Sequence, residues 1–231
     1  MKRSILAVAC LFSILYSAKS QETGEDQLGA WYIYYGTHTV SDKLSVYTEL
    51  QCNLYEVTSN FEQFWFISSL NYSLTETAQA SFGYGYFNYD PSFEDILEER
   101  HTTENRIFEQ LSHSSEVGKF SFQNRYRLEQ RFINTPSETL TQHRIRGRVQ
   151  ISYPLSDDWF LSAFDEVFIN LQEPLFNQNR LYGALGYNVC PNVKLQAGFM
   201  KIHQTGKNYD RLQLVLNINT DLRKKESPKN G

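Results

Sequence analysis

Residues that crosslink or break a chain are scarce: the 231 positions hold three cysteines, six prolines and twelve glycines, with only two methionines. Three cysteines are too few for a disulfide scaffold, and so little glycine and proline excludes a low-complexity or collagen-like chain. No charge sign dominates. Against 22 Lys and Arg stand 26 Asp and Glu, and a formal charge of −4 gives no general reason to expect a nucleic-acid partner. Long apolar runs are missing too. A mean hydropathy of −0.49 excludes a bundle of transmembrane helices, each of which needs about 20 apolar residues. What is plentiful is aromatic: 16 Phe, 15 Tyr and 3 Trp make 15% of the chain, too many for a disordered polymer. The length suits one domain, or at most two small ones.

The first residues read as an address. Lys2 and Arg3 precede an apolar stretch from Ile5 to Tyr16, followed by the small residues of Ser17-Ala18-Lys19-Ser20. A basic start, an apolar segment too short to span a bilayer and a small-x-small site describe a secretory signal over residues 1–20, cleaved after Ser20. The alternative is a short buried helix. Cys10 follows too few apolar residues for a lipoprotein box. The mature chain keeps Cys52 and Cys190, whose placement suggests no disulfide, and neither has a His or second Cys at metal-ligand spacing.

From Leu28 onward the apolar pattern alternates with period two, the signature of strands with one apolar face. Leu44, Val46, Leu50, Cys52 and Leu54 oppose Ser45, Tyr47, Glu49, Gln51 and Asn53. Phe120, Phe122, Tyr126, Leu128 and Phe132 oppose Gln123, Arg125, Arg127, Glu129 and Arg131. Ile145, Val149, Ile151 and Tyr153 oppose Arg144, Arg146, Arg148 and Gln150, and Leu212 to Ile218 oppose Arg211 to Asn219. All six prolines fall between such segments, where a missing donor harms no ladder. Eleven candidate strands follow, from Leu28–Gly36 to Tyr209–Leu222, joined by connections that alternate between tight and longer. That rhythm is expected of a barrel with turns at one end and exposed loops at the other. Bacterial barrels of this kind have even strand numbers and normally keep both termini periplasmic, so the expectation is ten or twelve strands. Glu104–Ser115 is the weakest segment, since Glu109 shares a face with Ile107 and Leu111. Trp159–Asn170 breaks its alternation at Asp165-Glu166, as a bulge would.

Period two alone does not say whether the apolar face points inward, as in a soluble carrier, or outward into lipid. Several segments run 12 to 16 residues, long against the usual strand of about 5–6. A secretory signal accompanies them. The opposite faces cluster arginines, and one Arg in the lipid midplane costs roughly 2–4 kcal/mol, so that face suits a wet lumen. The fold class expected is therefore all-β: an antiparallel up-and-down transmembrane β-barrel over residues 21–222 with a polar, Arg-rich lumen, ending in a polar tail, 223–231. Tyr and Trp should gather at the two membrane boundaries, with Trp31-Tyr32, Trp65, Tyr84, Tyr86, Tyr153 and Trp159 as the belt.

Several stretches resemble a known family. Trp31-x-x-Tyr34, Phe82-Gly83-Tyr84-Gly85-Tyr86, Arg106-Ile107-Phe108-Glu109-Gln110, Arg125-Tyr126-Arg127-Leu128-Glu129-Gln130-Arg131-Phe132, Asp165-Glu166-Val167-Phe168 and Asn179-Arg180-Leu181-Tyr182-Gly183 are similar to the DUF2490 family. The likeness covers nearly all of the mature chain. It implies an outer-membrane barrel of Gram-negative bacteria with no assigned activity, so no catalytic residue transfers from it. The chain departs from many such barrels by not ending on an aromatic last strand.

The sharpest constellation is the inward charge cluster of Arg125, Arg127, Glu129, Arg131, Arg144, Arg146, Arg148, Glu166 and Arg180. The first two arginine groups should lie side by side across a hairpin. Arg forks pair bidentately with carboxylates and keep their charge. Two readings stay open: a salt-bridge network that fills and rigidifies the lumen, or a site favouring a phosphate, a carboxylate or an acidic sugar. About eight strands leave room only for side chains and 16–18 give a channel, so an intermediate barrel is no open porin. An enzyme is the rival class. His113 and Ser115 share a face at a spacing known from barrels that hydrolyse lipids, yet no acid partner orients the base. Gly83-Tyr84-Gly85 reads as close strand packing, and the loop Asp90–Thr103, with Glu94, Asp95, Glu98 and Glu99, as solvated and extracellular.

The function expected is thus a non-catalytic outer-membrane barrel, structural or binding or narrowly passing small anionic solutes, with no cofactor. Its partners would be outer-membrane lipid, the periplasmic chaperones and barrel-assembly machinery, and small anionic solutes. A lipid-modifying enzyme and a secreted lipocalin-like carrier are the alternatives.

Overall fold

The computed structural model describes residues 23–93 and 101–223. The signal segment 1–20, the acidic group Glu94, Asp95, Glu98 and Glu99, and residues 224–231 of the tail lie outside the described residues. The described residues form eleven strands: β1 Leu28–Thr39, β2 Leu44–Leu54, β3 Phe61–Ser73, β4 Ala78–Tyr89, β5 Thr102–Val117, β6 Phe120–Asn134, β7 Thr139–Pro154, β8 Trp159–Asn170, β9 Phe176–Cys190, β10 Val193–Gln204 and β11 Lys207–Asp221. They form a closed barrel in which spatial order follows chain order. Short connections explain this, because a strand leaving a tight turn pairs most readily with its predecessor.

The even count is not met, and the reason is geometric. Every hairpin reverses the chain, so in an eleven-strand meander the first and last strands run the same way. The closing pair is therefore parallel, from Leu28↔Asp210 to Thr39↔Asp221, while the neighbouring pairs β1–β2 and β10–β11 are antiparallel. Neither doubtful segment leaves the wall. β5 spans 16 residues, because flanking Ile107 and Leu111 hold the outward face and one outward Glu109 does not outweigh a full ladder. β8 keeps continuous register with β7 through Asp165 and Glu166, and the expected bulge falls instead at Phe168/Ile169 against β9.

Connections 40–43, 74–77, 118–119, 155–158 and 191–192 share one end of the barrel with Asp221. Connections 55–60, 90–101, 135–138, 171–175 and 205–206 share the other with Leu28. These are called the turn end and the loop end. Gly118 (φ 62°) and Gly206 (φ 76°) occupy two of the three two-residue hairpins in left-handed conformations that glycine adopts without a Cβ clash. An odd strand number thus puts the two termini at opposite ends, against the expectation that they share one.

The alternation faces outward. Phe82, Tyr126, Leu181 and Leu214, from four separate strands, expose half or more of their surface, and the large hydrophobics around them are likewise exposed. The interior is polar and aromatic: Glu49, Gln51, Glu104, Arg106, Glu129, Arg144 and Arg211 are buried there beside Phe87, Phe108 and Phe168. Trp31 and Trp65 also lie inside, edge to face at 5.2 Å, and so do not belong to an outer belt. Their indole N–H groups find acceptors in Glu62 and Gln63, which an outward position would not supply. Trp159 and Tyr153 are exterior. They meet Tyr187 at 4.8 Å and Phe120 at 4.9 Å respectively near the turn end. Gly83 and Gly85 face inward, where a Cβ would collide with Phe108 and Phe87, so the Gly-Tyr-Gly run makes room for lumen rings. Cys52 and Cys190 are free thiols.

Candidate functional site

A lumen built this way has an arginine wall and an aromatic wall. β6 and β7 pair so that Arg125 faces Arg148, Arg127 faces Arg146 and Glu129 faces Arg144. Like charges directly opposite are unfavourable, so carboxylates from neighbouring strands must intervene. β5 supplies Glu104 and β8 supplies Glu166. The rings of Phe87, Phe108 and Phe168 lie beneath the guanidinium planes: Arg106 over Phe87 at 3.8 Å, Arg127 over Phe108 at 4.1 Å and Arg146 over Phe168 at 4.3 Å. Such stacking suits Arg, whose weakly hydrated plane offers its edges to hydrogen bonds and its face to an aromatic ring.

Glu129 is the hub and has no exposed surface. Arg144 and Arg146 reach it at 2.7 and 2.8 Å, and Arg106 at 3.2 Å. Arg146 also pairs with Glu166 at 2.9 Å, which Arg125 meets at 2.5 Å. Arg131 and Arg106 both pair with Glu104, at 2.8 and 2.7 Å. These contacts join β5, β6, β7 and β8 into one continuous ion-paired network that projects into the lumen, the septum of the barrel. Near the loop end a separate pair, Arg211 with Glu62 at 3.1 Å, ties β11 to β3 beneath the parallel seam.

Three of the expected cluster are held differently. Arg127 stands 3.9 Å from Glu129 and gives its closer hydrogen bonds to Gln110, at 2.7 and 2.9 Å. Arg148 donates to Gln123 at 3.2 Å and has no carboxylate within ion-pair distance among the described residues. Arg180 lies among Trp31, Trp65 and Phe168, at 5.0, 5.4 and 4.7 Å, and in the orientation that satisfies its neighbours the Gln178 amide accepts from it at 2.9 Å. Glu49, an expected counter-charge, instead accepts from the Tyr47 hydroxyl at 2.7 Å and from the Gln51 amide.

All nine expected residues therefore line one lumen, and the structure adds others. Arg106 and Glu104 escaped because β5 read as a doubtful strand, although Arg106 carried the signal of period two. Arg211 and Glu62 escaped because nothing in one strand's pattern reports a partner about 150 positions away. The septum leaves about 40 Å³ of space beside it. On the loop side lies a cavity of about 170 Å³ bounded by Arg131, Arg144 and Arg180. On the turn side lies a larger one of about 300 Å³, whose charged lining consists of Arg125, Arg127 and Arg148, with no carboxylate. Guanidinium N–H groups facing such a space can donate hydrogen bonds to an oxyanion.

These features define a class: a closed meander barrel, apolar outside, basic inside, with an ion-paired network on one side of its lumen. The profile of the family described as "Protein of unknown function (DUF2490)" matches residues 28–213, from the start of β1 into β11, and the chain belongs to that family. No curated protein and no solved structure matches it.

Proposed function

We propose that this protein is an outer-membrane β-barrel without catalytic activity, whose lumen holds small anionic solutes and does not conduct freely. The observation that carries this is the inverted polarity, an apolar exterior around an arginine-lined interior. Strands of 11 to 16 residues, at about 3.3 Å per residue and tilted by about 40°, climb roughly 28–40 Å, enough for an apolar band about 25 Å tall. A soluble carrier would require the opposite polarity. The exterior aromatic group of Phe120, Tyr153, Trp159 and Tyr187 suits a membrane boundary.

The septum favours binding over passage, since an ion moving through would have to part Glu129 from Arg144 and Arg146. An enzymatic reading has little support. His113 lies exposed on the outer face, and among the described residues no carboxylate bonds its ring. The test is a fractionation followed by a heat-modifiability gel. A band in the outer-membrane fraction that migrates differently unboiled and boiled is expected. Recovery from the soluble periplasm or the medium would overturn the membrane reading. In planar bilayers the wild type should pass little current and Arg146→Ala more, with preference for anions. A large wild-type conductance would refute the closed lumen.

A further inference from the structure

Buried polar groups in folded proteins are almost all hydrogen-bonded, so those that are not mark places where something is missing. Four such atoms belong to residues lining the turn-side cavity: Nε of Arg125, Nε of Arg148, the hydroxyl of Tyr182 and the amide nitrogen of Asn217. All four can donate, and two are cationic. These four atoms have almost no accessible surface and so stand behind the lining; what the cavity itself presents is Arg125 and Arg148 with no carboxylate among its lining residues, and that calls for an acceptor-rich occupant.

The rest of the lining narrows its chemistry. Arg127 supplies a third guanidinium, and the side-chain amides of Gln79, Gln123 and Gln150 offer neutral donors and acceptors together. Two aromatic pairs stand on the wall: Tyr35 stacked on Tyr47 at 6.1 Å, and Phe164 stacked on Tyr182 at 4.8 Å. A cavity for a bare inorganic anion needs the cations but neither the amides nor the rings. Alternating hydroxyl and C–H faces, by contrast, are matched by amides and by aromatic faces. At about 300 Å³ the space is at the lower end of small-molecule sites, fitting one ring and not a chain of them.

We infer that the turn-side cavity, at the end of the barrel that holds Asp221, binds a single-ring polyol carrying one oxyanion group, that is, a sugar acid or a sugar phosphate. The oxyanion is held by Arg125 and Arg148, and the hydroxyls by Asn217, Tyr182 and the glutamine amides. This rests on the reading of the lumen as an anion holder and specifies its occupant.

The experiment is isothermal titration of the mature barrel in detergent micelles at low salt with glucuronate, glucose 6-phosphate, glucose and inorganic phosphate. One or both sugar anions should bind at least tenfold more tightly than either glucose or phosphate. Stronger binding of glucuronate identifies the carboxylate as the preferred group, and stronger binding of glucose 6-phosphate the phosphate. Arg148→Gln should weaken that binding tenfold or more. It has no carboxylate partner within ion-pair distance among the described residues, so the septum stays intact and the unboiled band should keep its mobility. Asn217→Ala should weaken the sugar anions while leaving phosphate unchanged. Phosphate binding as tightly as the sugar anions would overturn this inference and leave the anion reading standing. No binding of any of the three anions would overturn both, as would glucose binding as tightly as both sugar anions.

Discussion

Glu129 shares its two carboxylate oxygens among Arg106, Arg144 and Arg146, each of which is itself buried. Breaking a buried ion pair by removing one partner costs about 3–5 kcal/mol, because the other charges lose their compensation. Glu129→Gln should therefore lower barrel stability by about that amount, seen as an earlier urea-unfolding midpoint in lipid vesicles. A midpoint unchanged within about 1 kcal/mol would mean that water, not Glu129, compensates these arginines. Glu109 is the opposite case. It points outward between Phe82 and Leu128 at mid-height of β5, on the face of Ile107 and Leu111, and makes no ion pair among the described residues. In a bilayer such a carboxylate costs less than the roughly 2–4 kcal/mol of an Arg, so Glu109→Leu should stabilise the vesicle-inserted barrel by about 1–2 kcal/mol. Destabilisation would point to an outer surface that faces water.

Among the elements, the β1–β11 seam differs from every other pair. Parallel ladders are slightly less stable per residue than antiparallel ones, and β1 and β11 are joined by no hairpin. The Arg211–Glu62 pair and the Trp31 indole on the same glutamate brace the loop end of this seam from inside. β6 and β7, in contrast, share a long antiparallel ladder stitched by the septum. Amide hydrogen exchange should consequently be faster at Ile33–Tyr35 and Val215–Asn217 than at Arg127–Glu129. Equal protection across the seam would mean that the barrel opens as one unit, with no weak edge.

For the whole molecule, the parity of the wall decides where the termini go. If the short turns face the periplasm, as in barrels of this kind, Asp221 lies on the periplasmic side and Leu28 on the outer side. An epitope placed after Ser20 should then be labelled on intact cells, and one at the C-terminus only after permeabilisation. Labelling of both from the same side would contradict a parallel closing pair. The same meander order sets β5 to β8 side by side, which is why their arginines share Glu104, Glu129 and Glu166.

Much of this was legible in the chain because a strand's faces alternate residue by residue. Leu212 to Ile218 against Arg211 to Asn219, and Phe122 to Phe132 against Gln123 to Arg131, already separate the outside from the inside, and the same alternation in β7, β8 and β9 completes the nine expected residues among the lumen's charges. Period two is a local property, so residue order alone determines it. Two matters were not local. Whether the wall closes with ten, eleven or twelve strands depends on which strand meets β1, and a single outward Glu109 made β5 look expendable when its backbone was needed. Which arginines are paired and which are left facing open space depends on side chains from strands distant in sequence: Glu62 with Arg211, Glu166 with Arg125, and among the described residues nothing acidic with Arg148. The sequence by itself determined a barrel with charge on one face. Only the tertiary structure decided the parallel seam, the septum and the cavity beside it, because contacts across a closed wall are set by register and closure, not by the pattern of any one strand.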